Sequence, residues 1–150
     1  ETPDIEPGYS QCAWTWGTQS LPELSEDVQS TLESAGLTGA TAAVEAFGEN
    51  CVTSSVEASR FATMETDFRI TVVTSSVSNT LELGNLLEEI LVVLDQFPPG
   101  TTPGPQPGYI GVRFVDGSGE INLWFKMTDG ISARAEGLHG EDLLSRLQNR

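Results

Sequence analysis

The chain has 150 residues, 22 of them acidic and 7 basic, for a formal charge of −15 at pH 7. That balance repels polyanions, and with no clustered Lys or Arg it argues against nucleic acid and anionic membrane surfaces as partners. At this length one domain is the default, with roughly 68–70% of the unfolded chain's surface buried on folding.

Hydrophobic residues make up 38% of the chain and fall in periodic blocks, unlike a disordered acidic tail. The longest apolar run, Ile90 to Leu94, has five residues, well short of the ~18 that a transmembrane segment needs. Residues 1–9 (Glu-Thr-Pro-Asp-Ile-Glu-Pro-Gly-Tyr) read as a linker or tether ahead of a single α+β domain over 10–150. An export signal or a lipid anchor upstream of Glu1 would fit that opening.

In chain order, residues 10–17 alternate large and small. Cys12, Trp14 and Trp16 share one face, which predicts a first strand. A helix follows, with Ser20 as its expected N-cap, Pro22 in its first turn and Leu21, Leu24, Val28, Leu32 and Ala35 as its apolar stripe. Gly36 stops it. Ala40 to Phe47 predicts a second strand, broken by Gly48-Glu49-Asn50. Val52 to Met64 reads as a loop or a strand extension. Glu65 to Thr74 is a clearer strand, with Phe68, Ile70 and Val72 on one face and Asp67, Arg69 and Thr71 on the other.

The second helix carries the strongest signal. Asn79 caps it, Glu82 stands three residues on, and Leu83, Leu86, Leu87, Ile90, Leu91, Leu94 and Phe97 line one face. Pro98 and Pro99 end it. Residues 98–108 hold five of the eight prolines and three glycines, which predicts a stiff, extended connector. Tyr109 to Val115 and Glu120 to Thr128 form a hairpin around Asp116-Gly117-Ser118-Gly119, followed by a turn at Asp129-Gly130. Ile131 to Glu136 fits a short strand or a helical turn. A last helix spans about 141–148.

The order β-α-β-β-α-β-β plus a terminal helix predicts a two-layer α+β sandwich: an antiparallel sheet of four or five strands with two main helices on one face, in a ferredoxin-like arrangement. Cys12 and Cys51 predict a disulfide, because neither belongs to a C-x-x-C pair and no His cluster supports a metal. The bond would stabilise the fold by roughly 4 kcal/mol in the chain-entropy account and would imply an oxidising, extracytoplasmic compartment. In the ferredoxin-like order, however, these two cysteines fall at opposite ends of the sheet.

Catalytic signatures are absent from the sequence. There is no G-x-S-x-G elbow and no phosphate-binding G-x-x-x-x-G-K-[ST] loop. The single histidine, His139, reads as a cap or surface residue. No cofactor is expected. Glu45, Glu49, Glu65 and Asp67 lie on consecutive strands or their connection and form a candidate cation (Ca²⁺) site, or the carboxylates of a hydrolase. Tyr109, Arg113, Trp124 and Lys126 form a candidate ligand or partner face on the uncovered side of the sheet, although core packing or dimer burial would also account for the aromatic rings. The functional expectation is a non-enzymatic interaction or assembly domain that binds a protein partner or itself. A small-ligand or cation binder is the first alternative and a carboxylate hydrolase the second.

Overall fold

A computed structural model describes residues 12–52 and 60–148. The predicted linker at 1–9 and part of the ambiguous stretch 52–64 lie outside these residues. The elements run β1 (Ala13–Ser20), α1 (Pro22–Ser34), β2 (Ala40–Val52), β3 (Arg60–Val73), α2 (Thr80–Leu94), β4 (Tyr109–Val115), β5 (Glu120–Lys126), α3 (Met127–Ala135) and α4 (Gly140–Gln148). The fold is α+β with one five-stranded sheet in the order β1-β2-β3-β4-β5.

That order corrects the ferredoxin-like expectation. A split β-α-β unit places its first two strands parallel with another strand between them, whereas β1 and β2 are antiparallel neighbours. The sheet is mixed, since β3 and β4 pair in parallel. Their crossover is α2 plus the proline-rich connector, the long connection that parallel neighbours require.

The antiparallel β1–β2 pair also removes the conflict over the cysteines. Ala13 lies opposite Val52, so the start of β1 meets the end of β2. Cys12 and Cys51 are disulfide-bonded there, with Cα atoms 4.9 Å apart. This needs β2 to continue past the predicted break at Gly48. It does so through a bulge: Phe47 pairs with Glu65 and Gly48 with Thr63, leaving Met64 as the extra residue on β3. A side chain at position 48 would collide with the Ala62 carbonyl, so the glycine is a strand residue chosen for close approach.

One core joins the helices to the sheet. Val28 and Leu32 of α1, Leu83, Leu87, Ile90, Leu91 and Leu94 of α2, and Leu143, Leu144 and Leu147 of α4 pack with Val44, Phe68, Ile70, Val72, Ile110, Val112, Phe114, Leu123 and Phe125 from the strands. Asn79 caps α2 as predicted, its side chain accepting from the Glu82 amide at 3.2 Å. The N-cap of α1 is Leu21 rather than Ser20, which is the last residue of β1.

The hydroxyl that matters in α1 is Ser25. It donates to the Leu21 carbonyl and accepts from the Val44 amide, both at 2.8 Å. Gln29 likewise donates to the Ala40 carbonyl and accepts from the Ala42 amide. β1 reaches only as far as Glu45 along β2, so α1 satisfies the strand edge that β1 leaves bare.

At the C-terminal end, Met127 and the predicted Asp129-Gly130 turn are part of α3, which also resolves 131–135 as helix with Glu136 as its C-cap. The 116–119 turn is as predicted. Asp116 accepts from the amides of Val77, Ser118 and Gly119, and these bonds, that from Val77 first, hold its carboxyl down at about 2.

Candidate functional site

Strand alternation sends one set of side chains into the core and the other to the opposite face. Among the described residues, the core residues of the helices pack with the first set. On the second face stand Trp16 of β1, Glu45 and Phe47 of β2, Arg69 and Thr71 of β3, Tyr109 and Arg113 of β4, and Glu120, Asn122, Trp124 and Lys126 of β5. Two aromatic stacks mark its ends. Trp16 lies parallel to Phe47 at 5.4 Å between ring centroids, and Tyr109 lies parallel to Trp124 at 5.1 Å. Trp14, Trp16 and Trp124 are 46%, 62% and 41% exposed, which excludes them from the core of the single chain.

Trp124 reaches across β4 toward β3. Its register partner is Gly111, and a Cβ there would come within 2.8 Å of the indole Cε3. Only glycine leaves room for the ring. The Arg69 guanidinium sits 4.5 Å from the indole centroid, a cation–π contact, while its Nε donates to Glu45 at 3.2 Å. Arg113 donates to Glu120 at 2.7 Å, and Asn122 donates to the same carboxylate at 2.7 Å. These bonds, that from Arg113 first, hold the Glu120 carboxyl at about 2, and Glu120 raises the Arg113 pKa in return. A shallow groove of ≈ 340 Å³ runs over Gly111, with Arg69, Arg113, Asn122 and Trp124 around it.

Of the candidate partner face, Tyr109, Arg113 and Trp124 therefore share a face as expected, and Tyr109 contacts Trp124. Lys126 is exposed opposite Tyr109 in register and lies outside the groove. Arg69 is the residue the sequence reading left out. Its alternation with Phe68 and Ile70 put it on this face, but its meeting with Trp124 depends on β3 lying beside β4.

The acidic candidates gather only in part, with Glu45 opposite Asp67 in register. Glu49 lies opposite Trp16, away from Asp67, and Glu45 is committed to Arg69. Among the described residues no three Asp, Glu, His or Cys side chains are placed to hold a metal ion. Glu65 and Asp67 do come together, 7% and 4% exposed, under the proline-rich connector. Thr66 Oγ1 donates to the Pro103 carbonyl at 2.7 Å, Gln106 Nε2 donates to Glu65 at 3.1 Å, and the Tyr109 amide donates to Asp67 at 2.8 Å. Burial, then the neighbouring Glu65 carboxyl, pushes Asp67 up to about 7, against the opposing pull of the Tyr109 amide and Arg69.

His139 pairs with Glu88 of α2 at 2.7 Å, and the Gly140 amide donates to the same carboxylate. It thus ties the start of α4 to α2, as a surface residue. Comparison with protein-family models, with curated proteins and with solved structures finds no match for this chain.

Proposed function

We propose that this chain is an extracytoplasmic, non-enzymatic interaction domain that meets a partner protein through its β1 edge and the adjoining open sheet face. The observation that carries this reading is β1 itself. It is an eight-residue edge strand, exposed at seven positions and half-buried at Gly17, and it contains neither charge nor proline. Edge strands of monomeric proteins are ordinarily blunted by such residues. The Trp16–Phe47 stack beside it adds apolar surface of the kind that protein contacts bury.

The disulfide and the absence, among the described residues, of any helix long and apolar enough to cross a membrane fit an extracytoplasmic setting. The charge of −15 sets identical copies against one another and favours a different, less acidic partner over self-assembly. The non-enzymatic reading is supported by the placement of the Glu65 and Asp67 carboxyls. A hydrolase needs two carboxyls about 5–10 Å apart across a cleft that admits substrate, whereas Glu65 and Asp67 are two residues apart on one strand and covered by the connector.

A photo-crosslinking residue at position 18, on the open face of β1, tests the reading in the native host. A discrete adduct from position 18 and none from position 89, on the exposed side of α2, is expected. The same adducts from both sites, or none from either, would defeat the proposal. An adduct of twice the chain mass would replace the partner with self-assembly.

A further inference from the structure

The groove over Gly111 has a composition at odds with the chain around it. The protein carries 22 acidic and 7 basic residues, yet two arginines line this groove and no acidic residue does. Glu45 and Glu120 hold those arginines from outside it. Arg69 uses Nε for Glu45 and Arg113 uses one Nη for Glu120. Among the described residues no further hydrogen bond engages either guanidinium, so each retains donors. A guanidinium fork presents five N–H groups, arranged to match a carboxylate.

The remaining walls are an indole, the Asn122 amide and the Thr71 hydroxyl. Tyr109 stacks on Trp124 but does not line the groove. A volume of ≈ 340 Å³ falls at the small end of the range for organic ligands.

We propose that this groove is a binding site for a small organic carboxylate, its anionic group between Arg69 and Arg113 and its ring or hydrocarbon part against Trp124. Glu45 and Glu120 orient the two arginines and compete with the ligand for them, which keeps the site weak and selective for anions that can use the free N–H groups. Gly111 provides the floor and lets the indole form a wall. The site does not rest on the partner-protein reading, because it lies at the β3–β5 side of the sheet and the proposed protein contact lies at β1.

The test follows the Trp124 indole N–H by two-dimensional NMR of the intact chain. Two carboxylate probes, benzoate and glucuronate, are titrated against their neutral counterparts, benzyl alcohol and glucose. A saturable shift with dissociation constants around the millimolar range is expected for at least one acid, with its neutral counterpart about tenfold weaker or worse. Benzoate alone would indicate an aryl acid and glucuronate alone a sugar acid. Arg113→Gln should weaken binding about tenfold, and Glu120→Gln, which releases Arg113, should strengthen it severalfold. Both variants lie on the exposed surface, and unchanged spectra elsewhere confirm their fold. No saturable shift with either acid, equal affinity for the neutral probes, or an Arg113→Gln variant that binds as well as the parent would overturn the site.

Discussion

The two faces of the sheet are built from adjacent residues of the same strands and do opposite work. Phe68, Ile70 and Val72 point into a core completed by α1, α2 and α4, while Asp67, Arg69 and Thr71, their immediate neighbours, point to the other side. Burial of apolar area makes the first face the source of stability. The second spends aromatic rings and ion pairs at the surface, where they add little to stability and are available for recognition. The function proposed for the open face is thus energetically separable from the fold beneath it.

The sharpest way to break that separation is a pair of truncations. Phe68 is fully buried and packs near the Phe97 ring, so Phe68→Ala should cost about 3–5 kcal/mol in denaturant unfolding. Trp124→Ala, at the other extreme, should cost under ~1 kcal/mol while abolishing carboxylate-induced shifts of the backbone amides of residues 111 and 113. Equal costs would mean that the open face is part of the core.

Between these limits lies the staple at the β1–β2 end. Replacing Cys12 and Cys51 together by serine should lower stability by about 2–4 kcal/mol, read from the unfolding midpoint. The loss should concentrate in β1, whose only strand partner among the described residues is β2, and amide exchange should show residues 13–20 opening before the rest of the sheet.

A smaller effect concerns the covered carboxyl pair. The native state holds Asp67's pKa well above its ordinary 3.8. Folded molecules therefore keep a proton that unfolded ones release, and the associated stability is full below about pH 4 and lost as pH rises through about 7. Asp67→Asn retains an oxygen for the Tyr109 amide and removes the titration. The stability difference between parent and variant should shift by about 1 kcal/mol between pH 6 and pH 8, with the variant gaining at the higher pH. A difference that stays flat would show that the connector does not desolvate the pair.

Some of this was legible in the residues alone because its causes are local. Asn79 with Glu82 and the leucine stripe behind them define α2 wherever it packs. Asp116-Gly117-Ser118-Gly119 closes a hairpin by bonds within a few residues of one another. Alternation placed Trp124 opposite Leu123 and Phe125 without knowledge of any neighbour. The reading failed where a residue's meaning depends on what lies across from it. Gly48 looked like a break because nothing local reveals that Ala62 of β3 presses against it. Ser20 looked like a cap because nothing local shows β1 extending to include it.

The sequence by itself determined the charge, the cysteine pairing, the major helix, the terminal hairpin and which side chains of each strand share a face. All of these follow from composition or from periods of two and 3.6 residues. Only the tertiary structure decided the strand order, the covering of Glu65 and Asp67 by the connector, and the meeting of Arg69, Arg113 and Trp124 over Gly111. Those depend on pairings between separate segments, such as residues 68–73 of β3 with 110–115 of β4, which the chain selects through the summed burial of one shared core rather than through any local signal.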